Sequence, residues 1–363
     1  MSKNIKYIGS FNGLRFLAAS YVIAFHYFSF ENAPLLKSFI RKGHIAVPFF
    51  FLLSGFVLSY SYQNYDFSTF SKKMKYIKSR FIRLAPIYYM AMALSAPFIY
   101  LNYRNGLHYS SIEFLSYLTS HLTLTQNLYP TMKHLIFWNY HSWSLSVEMF
   151  LYVLSPFIIL KFKTMKHSKL ITSYFLLVLL NLIIFLSMIY YPQVMTPYRS
   201  IFSPLFIPTF CIGAVMANIY TRYILIHEEK FNKGLTISFI FSAILLIISF
   251  LLPLPEIFYS TYNPFYTLGF SILIISSTSK SMATNWLGSS TLILLGDASY
   301  AMYIFQAPIK TATYQFLSKV LNYQISSGFL YCLSVFSAIT IFSVVITKYV
   351  DPKLRLWLRK KLL

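Results

Sequence analysis

Long apolar runs alternate with short polar segments along nearly the whole chain. Each run is close to the ~20 residues that a helix needs to cross the hydrocarbon core of a bilayer. The pattern therefore predicts an all-α, polytopic membrane protein with about ten transmembrane helices. The predicted spans are Ile8–Phe28, Ile45–Tyr62, Leu84–Leu101, Ser144–Leu160, Ile171–Tyr191, Ile201–Tyr220, Leu235–Leu252, Ile257–Ser276, Thr291–Ala307 and Gly328–Val350.

Composition agrees with this class, because 57% of the residues are hydrophobic, 11% are charged, and the mean hydropathy is +0.58. The net charge is +22, and the distribution of the basic residues along the chain indicates the membrane topology. Most of the 31 Lys and Arg residues fall in alternate connections, which places the N- and C-termini in the cytoplasm by the positive-inside rule. Asn263 and Pro264 interrupt the eighth run, and without that span the C-terminus would lie outside.

The polar segments are short and contain no repeat, so we expect a single transmembrane domain over residues 1–363. No small-residue cleavage site follows the first run, which we therefore expect to remain as the first helix. Cys211 and Cys332 fall in apolar runs without a metal or redox motif, so no metal is expected. Topology accounts for the basic residues, and no nucleic-acid partner is expected.

The first run contains two ionisable residues, Arg15 and His26. Eleven helical steps bring them to one face, three turns and about 16 Å apart. An arginine at membrane depth costs at least ~2.5 kcal/mol and usually faces a polar pathway, which favours a functional pair. Alternatively, Arg15 snorkels to a lipid headgroup and His26 is satisfied between helices.

Two further arginines precede the third span. Arg80 and Arg83 are three residues apart and share one helical face at the cytoplasmic surface. Guanidinium groups bind phosphate in a bidentate fork, so the pair is a candidate phosphate clamp. The alternative is a basic anchor that binds lipid headgroups.

Glu148 lies at the start of the fourth span and needs a partner there. The candidates at the same level are His26, Arg199 and Gln306. A hydrogen bond from His26 would orient the imidazole as a general base. The alternative is a structural ion pair with Arg199, which could instead bind an anionic acceptor.

Three other polar residues lie within spans. Ser54 precedes Gly55 in the second span, where close helix packing explains the small residues as well as chemistry does. Asp297 and Tyr300 lie in the ninth span, and Arg15 is a candidate partner for Asp297.

Five of these features occur in the order in which they appear in a known family. The chain resembles the acyltransferase-3 family of integral membrane acyltransferases over nearly its whole length. The motifs are Arg15-x10-His26, Phe50-Phe51-x2-Ser54-Gly55-Phe56, Arg80-x2-Arg83-x2-Pro86, Trp143-Ser144-Leu145-Ser146-x-Glu148 and Gly296-x2-Ser299-Tyr300-x2-Tyr303.

This resemblance implies transfer of an acyl group, usually acetyl, from cytoplasmic acyl-CoA to a hydroxyl, commonly on a cell-surface glycan or a lipid-linked sugar. It implies an essential role for His26 and donor binding by Arg15, Arg80 and Arg83. The chain departs from the family at Gln306, where members often have histidine. We also expect no C-terminal esterase-like domain.

The expected mechanism places the donor phosphates on the arginines. The extended pantetheine arm reaches about 15 Å, which matches the rise from Arg15 to His26. His26, oriented by Glu148, would deprotonate the acceptor hydroxyl, and Ser146, Tyr300 or backbone donors would stabilise the oxyanion. A relay through an acyl-enzyme is the alternative to direct transfer.

Two other functions compete with this interpretation. Intramembrane Arg, His, Glu and Asp are also typical of a proton-coupled transporter that exports a glycan or lipid. No inverted repeat supports a transporter, and the paired arginines have no obvious role in one. Another membrane acyltransferase class with a buried histidine would not explain Arg15-x10-His26. Either enzyme would lie in the inner membrane, where the basic chain contacts anionic lipids.

Overall fold

The computed structural model describes residues 6–28, 33–104, 110–128, 138–195, 202–319 and 329–363. Within these ranges the chain is largely helical and has no strand, which confirms the all-α class. The helices are α1 (Ser10–Tyr27), α2 (Pro34–Ile40), α3 (Ala46–Ser61), α4 (Phe70–Arg104), α5 (Ser111–Leu122), α6 (Trp143–Lys163), α7 (His167–Tyr190), α8 (Pro192–Met195), α9 (Ile207–Ile219), α10 (Glu228–Leu251), α11 (Pro264–Ser276), α12 (Met282–Asn285), α13 (Ser290–Lys319), α14 (Phe329–Val345) and α15 (Asp351–Leu362).

Short 3₁₀ and π turns link several of these helices. The 3₁₀ turns are Gly43–Ile45, Gln126–Leu128, Tyr140–Ser142, Ser203–Phe206, Glu256–Tyr259 and Trp286–Gly288, and the π turns are Tyr220–Ile224 and Ile346–Val350.

Eight helical stretches among the described residues are long and apolar enough to cross a membrane. This finding confirms a polytopic helical membrane protein. Helix α1 is not one of the eight, since Asn12, Arg15 and His26 lower its mean hydropathy. Helix α11 has 13 residues and is about 20 Å long, shorter than the ~30 Å hydrocarbon core. The count of ten spans and the cytoplasmic termini stay predictions.

Several helix boundaries differ from the predicted spans. Helix α4 begins at Phe70, well before Leu84, so the basic segment that carries the paired arginines is helical. Helix α11 begins at Pro264, not at Ile257, because the Asn263 side chain caps it by accepting a hydrogen bond from the Phe265 amide at 3.0 Å. Ile201, the predicted start of the sixth span, lies outside the described residues.

The chain divides into two compact units. Unit 1 contains Met1–Phe70, Leu154–Met195 and Leu205–Ser299, and unit 2 contains Ser71–Val153, Thr196–Pro204 and Tyr300–Leu363. The expectation of one domain over residues 1–363 stays a prediction.

In unit 1, two glycines allow helices α3 and α9 to pack with their backbones in contact. A Cβ on Gly55 would lie 2.0 Å from the Phe210 carbonyl oxygen, and a Cβ on Gly213 would lie 2.0 Å from the Leu52 carbonyl oxygen. The predicted close helix approach at Gly55 is thus confirmed. Around this contact lie buried side chains of the unit 1 core, including Phe11, Phe49, Leu52, Phe56, Ile212, Met216 and Phe270.

The start of α1 is fixed by a second close backbone contact within unit 1. A Cβ on Gly296 would lie 2.2 Å from the Asn12 carbonyl oxygen, and one on Gly13 would lie 2.5 Å from the Leu287 carbonyl oxygen. Arg15 follows Asn12 by about one turn, so this packing fixes the part of α1 that carries Arg15.

In unit 2, side chains bind backbone carbonyls of α4 and α13. The Trp138 indole donates to the Met92 carbonyl at 2.8 Å, and the Asn139 amide donates to the Ile304 carbonyl at 3.0 Å. The Phe305 and Phe342 rings join α13 to α14 edge to face, with centroids 5.0 Å apart. These contacts hold the helices that carry the polar residues of this unit.

Candidate functional site

Helix α1 presents Arg15 and His26 as predicted. Both residues lie in one continuous helix, Ser10–Tyr27, and both side chains are half-buried. The helical geometry confirms that they share one face, about 16 Å apart along the axis. One helix therefore carries a permanent cation near its start and an imidazole near its end.

Asp297 lies at the Arg15 end of α1. The Asn12 amide donates to Asp297 Oδ1 at 2.8 Å, a partner that the sequence did not indicate. Partial burial and the Asp297 carboxylate raise the pKa of Tyr7, while the Arg15 guanidinium opposes this rise. Arg15 and Asp297 thus act on the same phenol, although pairing between them stays a prediction.

A second histidine lies close to His26 in unit 1. The Phe25 ring centroid is 4.8 Å from that of His26 and 5.1 Å from that of His44, and the two imidazoles interact electrostatically. His44 Nε2 lies 2.8 Å from the Tyr259 carbonyl oxygen. Because a carbonyl only accepts hydrogen bonds, Nε2 carries a hydrogen. Sequence reasoning missed His44, which belongs to none of the recognised motifs.

The segment that carries His44 is fixed by Lys42, which is 5% exposed. The ammonium group donates to the carbonyls of Phe250 and Leu252, the first at 2.7 Å, and lies 4.1 Å from the Tyr259 ring centroid. Buried ammonium groups need such partners. Lys42 and His44 therefore bind the same turn, Glu256–Tyr259, and hold the entry to α3 in place.

In unit 2, Glu148 accepts a hydrogen bond from the hydroxyl of Tyr152, one turn later on α6. Tyr152 is 3% exposed, so the donor of this bond is buried, whereas Glu148 is half-buried. The partner was missed, although the spacing of four residues could have revealed it. Of the predicted partners, Gln306 donates to the Tyr303 carbonyl on its own helix at 2.7 Å. Arg199 lies outside the described residues.

Glu148 and His26 belong to different units, and their hydrogen bond stays a prediction.

The paired arginines lie near Glu148. On α4, Arg80 is half-buried and Arg83 is exposed. Both charges act on the Tyr152 hydroxyl, which donates a hydrogen bond to Glu148. The Arg80 guanidinium also lies 5.7 Å from the Tyr76 ring centroid, within cation–π range. Unit 2 thus places two guanidinium groups and a carboxylate around one buried tyrosine.

The two side chains predicted to stabilise an oxyanion differ in their hydrogen bonds. The Tyr300 hydroxyl donates to the Leu84 carbonyl at 2.8 Å, so its hydrogen is already in use. Ser146 Oγ accepts from the Asn127 amide at 3.2 Å and still carries a hydrogen to donate. This geometry favours Ser146 over Tyr300.

Ser54 is half-buried on α3 beside Gly55, where the close packing with α9 accounts for the small residues.

Across the described ranges, no group of three or more His, Cys, Asp or Glu side chains could hold a metal ion.

These features define a polytopic helical membrane protein with arginine and histidine on its first helix and paired arginines near a half-buried carboxylate. The chain belongs to the acyltransferase-3 family, because the family model, described as an acyltransferase domain, matches residues 8–348.

Two relatives show weaker, partial similarity. The chain is 30% identical over 162 residues to the acyltransferase MdmB of Streptomyces mycarofaciens, covering 43% of this chain and 40% of that protein. It is 33% identical over 96 residues to protein 2 in the picA locus of Rhizobium radiobacter, covering 26% of this chain and 48% of that protein. The matched stretches thus span less than half of each relative. No solved structure matches the chain.

Proposed function

We propose that this protein is a membrane O-acyltransferase that transfers acetyl from cytoplasmic acetyl-CoA to a hydroxyl of a cell-surface glycan or its lipid-linked precursor. Family membership supports acyl transfer, and one partial relative is named an acyltransferase. The observation that carries the proposal is helix α1, which holds Arg15 and His26 on one face. Their separation of about 16 Å suits a donor bound through phosphate at one end and reacting at the other.

In this proposal His26 is the general base. Its imidazole removes the proton of the acceptor hydroxyl, and the oxygen attacks the thioester carbonyl. The carbon–sulfur bond then breaks, and the CoA thiolate takes the proton from the imidazolium. Ser146 donates to the oxyanion, and Glu148 orients the base.

The arginines bind the donor. Arg80 and Arg83 lie three residues apart on α4, which suits bidentate contacts to the CoA phosphates. Arg15 contributes a third positive charge from α1. The enzyme acts in the inner membrane, where acetyl-CoA is available on the cytoplasmic side.

The proposal is tested with inverted membrane vesicles supplied with acetyl-CoA labelled in the acetyl group. We expect label in the polysaccharide or lipid-linked sugar fraction with the wild type, and more than a hundredfold less with His26→Ala, since general base catalysis contributes about 10²–10⁴-fold. His227→Ala, an exposed histidine at the start of α10, is the matched control and should retain activity.

Equal labelling by wild type and His26→Ala would remove the general base assignment. Export of unacetylated glycan that depends on the protein, without any label transfer, would favour a transporter instead.

A further inference from the structure

Helix α15 begins with a partly buried ion pair between Asp351 and Arg355. Asp351 is 3% exposed, and Arg355 binds it one turn later. Arg355 Nε donates to Asp351 Oδ1 at 2.9 Å, and Arg355 Nη2 lies 2.6 Å from Oδ2. This two-point contact fixes the plane of the guanidinium.

The ion pair lies close to Arg83 in unit 2. The charge of Arg83 acts on both Asp351 and Arg355. The Tyr300 hydroxyl binds the carbonyl of Leu84, the residue after Arg83, at 2.8 Å. The Arg355 charge also acts on this hydroxyl. The start of α15 therefore lies near the turn of α4 that carries Arg83.

Positive charge exceeds negative charge at this place. Of the described residues that these contacts and charges link, Arg80, Arg83 and Arg355 are cations, whereas Asp351 and Glu148 are anions. Arg83 is exposed, and the Arg355 side chain is 29% exposed. A guanidinium has five N–H donors. The contact with Asp351 uses only one edge of the Arg355 guanidinium, formed by Nε and Nη2. Accessible donors and excess positive charge are the requirements of a phosphate site.

We propose that Arg355, held in place by Asp351, binds a phosphate group of the acyl-CoA donor together with Arg83. The inference rests on the proposed function, because it takes acyl-CoA as the donor. Coenzyme A carries a diphosphate and a 3′-phosphate, so two adjacent arginines do not neutralise all of its negative charge. Asp351 is a positioning residue in this account, and Arg355 contacts the substrate.

The same chemistry would fit the phosphate of an anionic lipid headgroup. Other basic residues of α15 are more exposed and suit a membrane surface, notably Arg359 and Lys360. Arg355 differs from them because it is half-buried and tied to a buried carboxylate.

The test measures binding of coenzyme A to the purified full-length protein in nanodiscs of neutral lipid. We expect Arg355→Gln to weaken binding by about tenfold, since a charged hydrogen bond is lost. Arg359→Gln, one turn further along the same helix, is the matched control and should bind like the wild type. No binding by the wild type would contradict the proposed function itself, whereas equal binding by wild type and Arg355→Gln would overturn only this inference.

A second measurement separates phosphate binding from a structural role. Acetyl-pantetheine is a donor without phosphate groups, so the KM of Arg355→Gln should rise for acetyl-CoA and not for acetyl-pantetheine. An equal rise for both donors would indicate a structural effect and would overturn the inference. Unchanged coenzyme A affinity, together with loss of co-purified anionic lipid from Arg355→Gln, would assign the site to a headgroup.

Discussion

The close contact between α3 and α9 makes a strong prediction for Gly55. An alanine Cβ there would lie 2.0 Å from the Phe210 carbonyl oxygen, whereas ordinary contact begins at 3.4 Å. The two helices must therefore separate locally by roughly 1.4 Å, which also opens the reciprocal contact of Gly213 with Leu52. Overpacking typically costs about 1–3 kcal/mol, and a contact this short lies at the upper end of that range. The gain in helix propensity of at most ~1 kcal/mol does not offset it.

The assay is thermal unfolding of the purified protein in detergent, followed by the fluorescence of its tryptophans. The matched control is Gly234→Ala on α10, where a Cβ meets nothing within 4 Å. We expect the control to melt at or above the wild-type temperature, because alanine favours a helix by up to ~1 kcal/mol. Gly55→Ala should melt well below both.

Equal melting temperatures for Gly55→Ala and the wild type would refute the packing argument. The Gly55 motif would then need a chemical explanation, and Ser54 would become the first residue to test. A loss of activity in Gly55→Ala without any loss of stability would lead to the same conclusion.

Three further variants test individual contacts. Tyr152→Phe removes the hydrogen bond to Glu148 and should lower kcat about tenfold, because hydrogen bonds to charged groups contribute ~1.5–3 kcal/mol. An unchanged kcat would show that this bond does not contribute to catalysis. His44→Ala leaves the buried Tyr259 carbonyl without its donor and should lower the stability by about 1–3 kcal/mol in detergent melts. His44→Asn retains an N–H donor and should recover much of this stability. Equal melting temperatures of His44→Ala and His44→Asn would contradict the anchoring role. Arg83→Lys keeps the charge but loses the fork, so the KM for acetyl-CoA should rise several-fold at unchanged kcat, and an unaltered KM would argue against bidentate phosphate binding.

Helix α1 shows what local sequence predicts well. The relation of Arg15 to His26 depends only on helix geometry, so their common face followed from spacing alone. Hydropathy also located the apolar runs, but it identifies segments that can lie in a membrane and does not show where a helix begins. The predicted third span therefore starts at Leu84, whereas α4 begins at Phe70.

The partners of the buried polar residues show what local sequence does not predict. Asn12 and Asp297 are 285 residues apart, and the close packing at Gly296 and Gly13 brings them together. His44 comes near His26 through the fold, with Phe25 in contact with both rings, and no sequence pattern indicates this. Tyr152 is the exception, since its spacing from Glu148 on one helix was available in the sequence.

The most direct test of the central claim is the O-acetyl content of surface polysaccharide, measured by NMR in cells that lack the protein or express matched amounts of wild type, His26→Ala or Arg83→Ala. We predict O-acetyl signals with the wild type, and their loss in the deletion strain and in both variants. Acetylation that persists with His26→Ala would contradict the assignment of the base. Equal acetylation with and without the protein would contradict O-acetyl transfer to that polysaccharide.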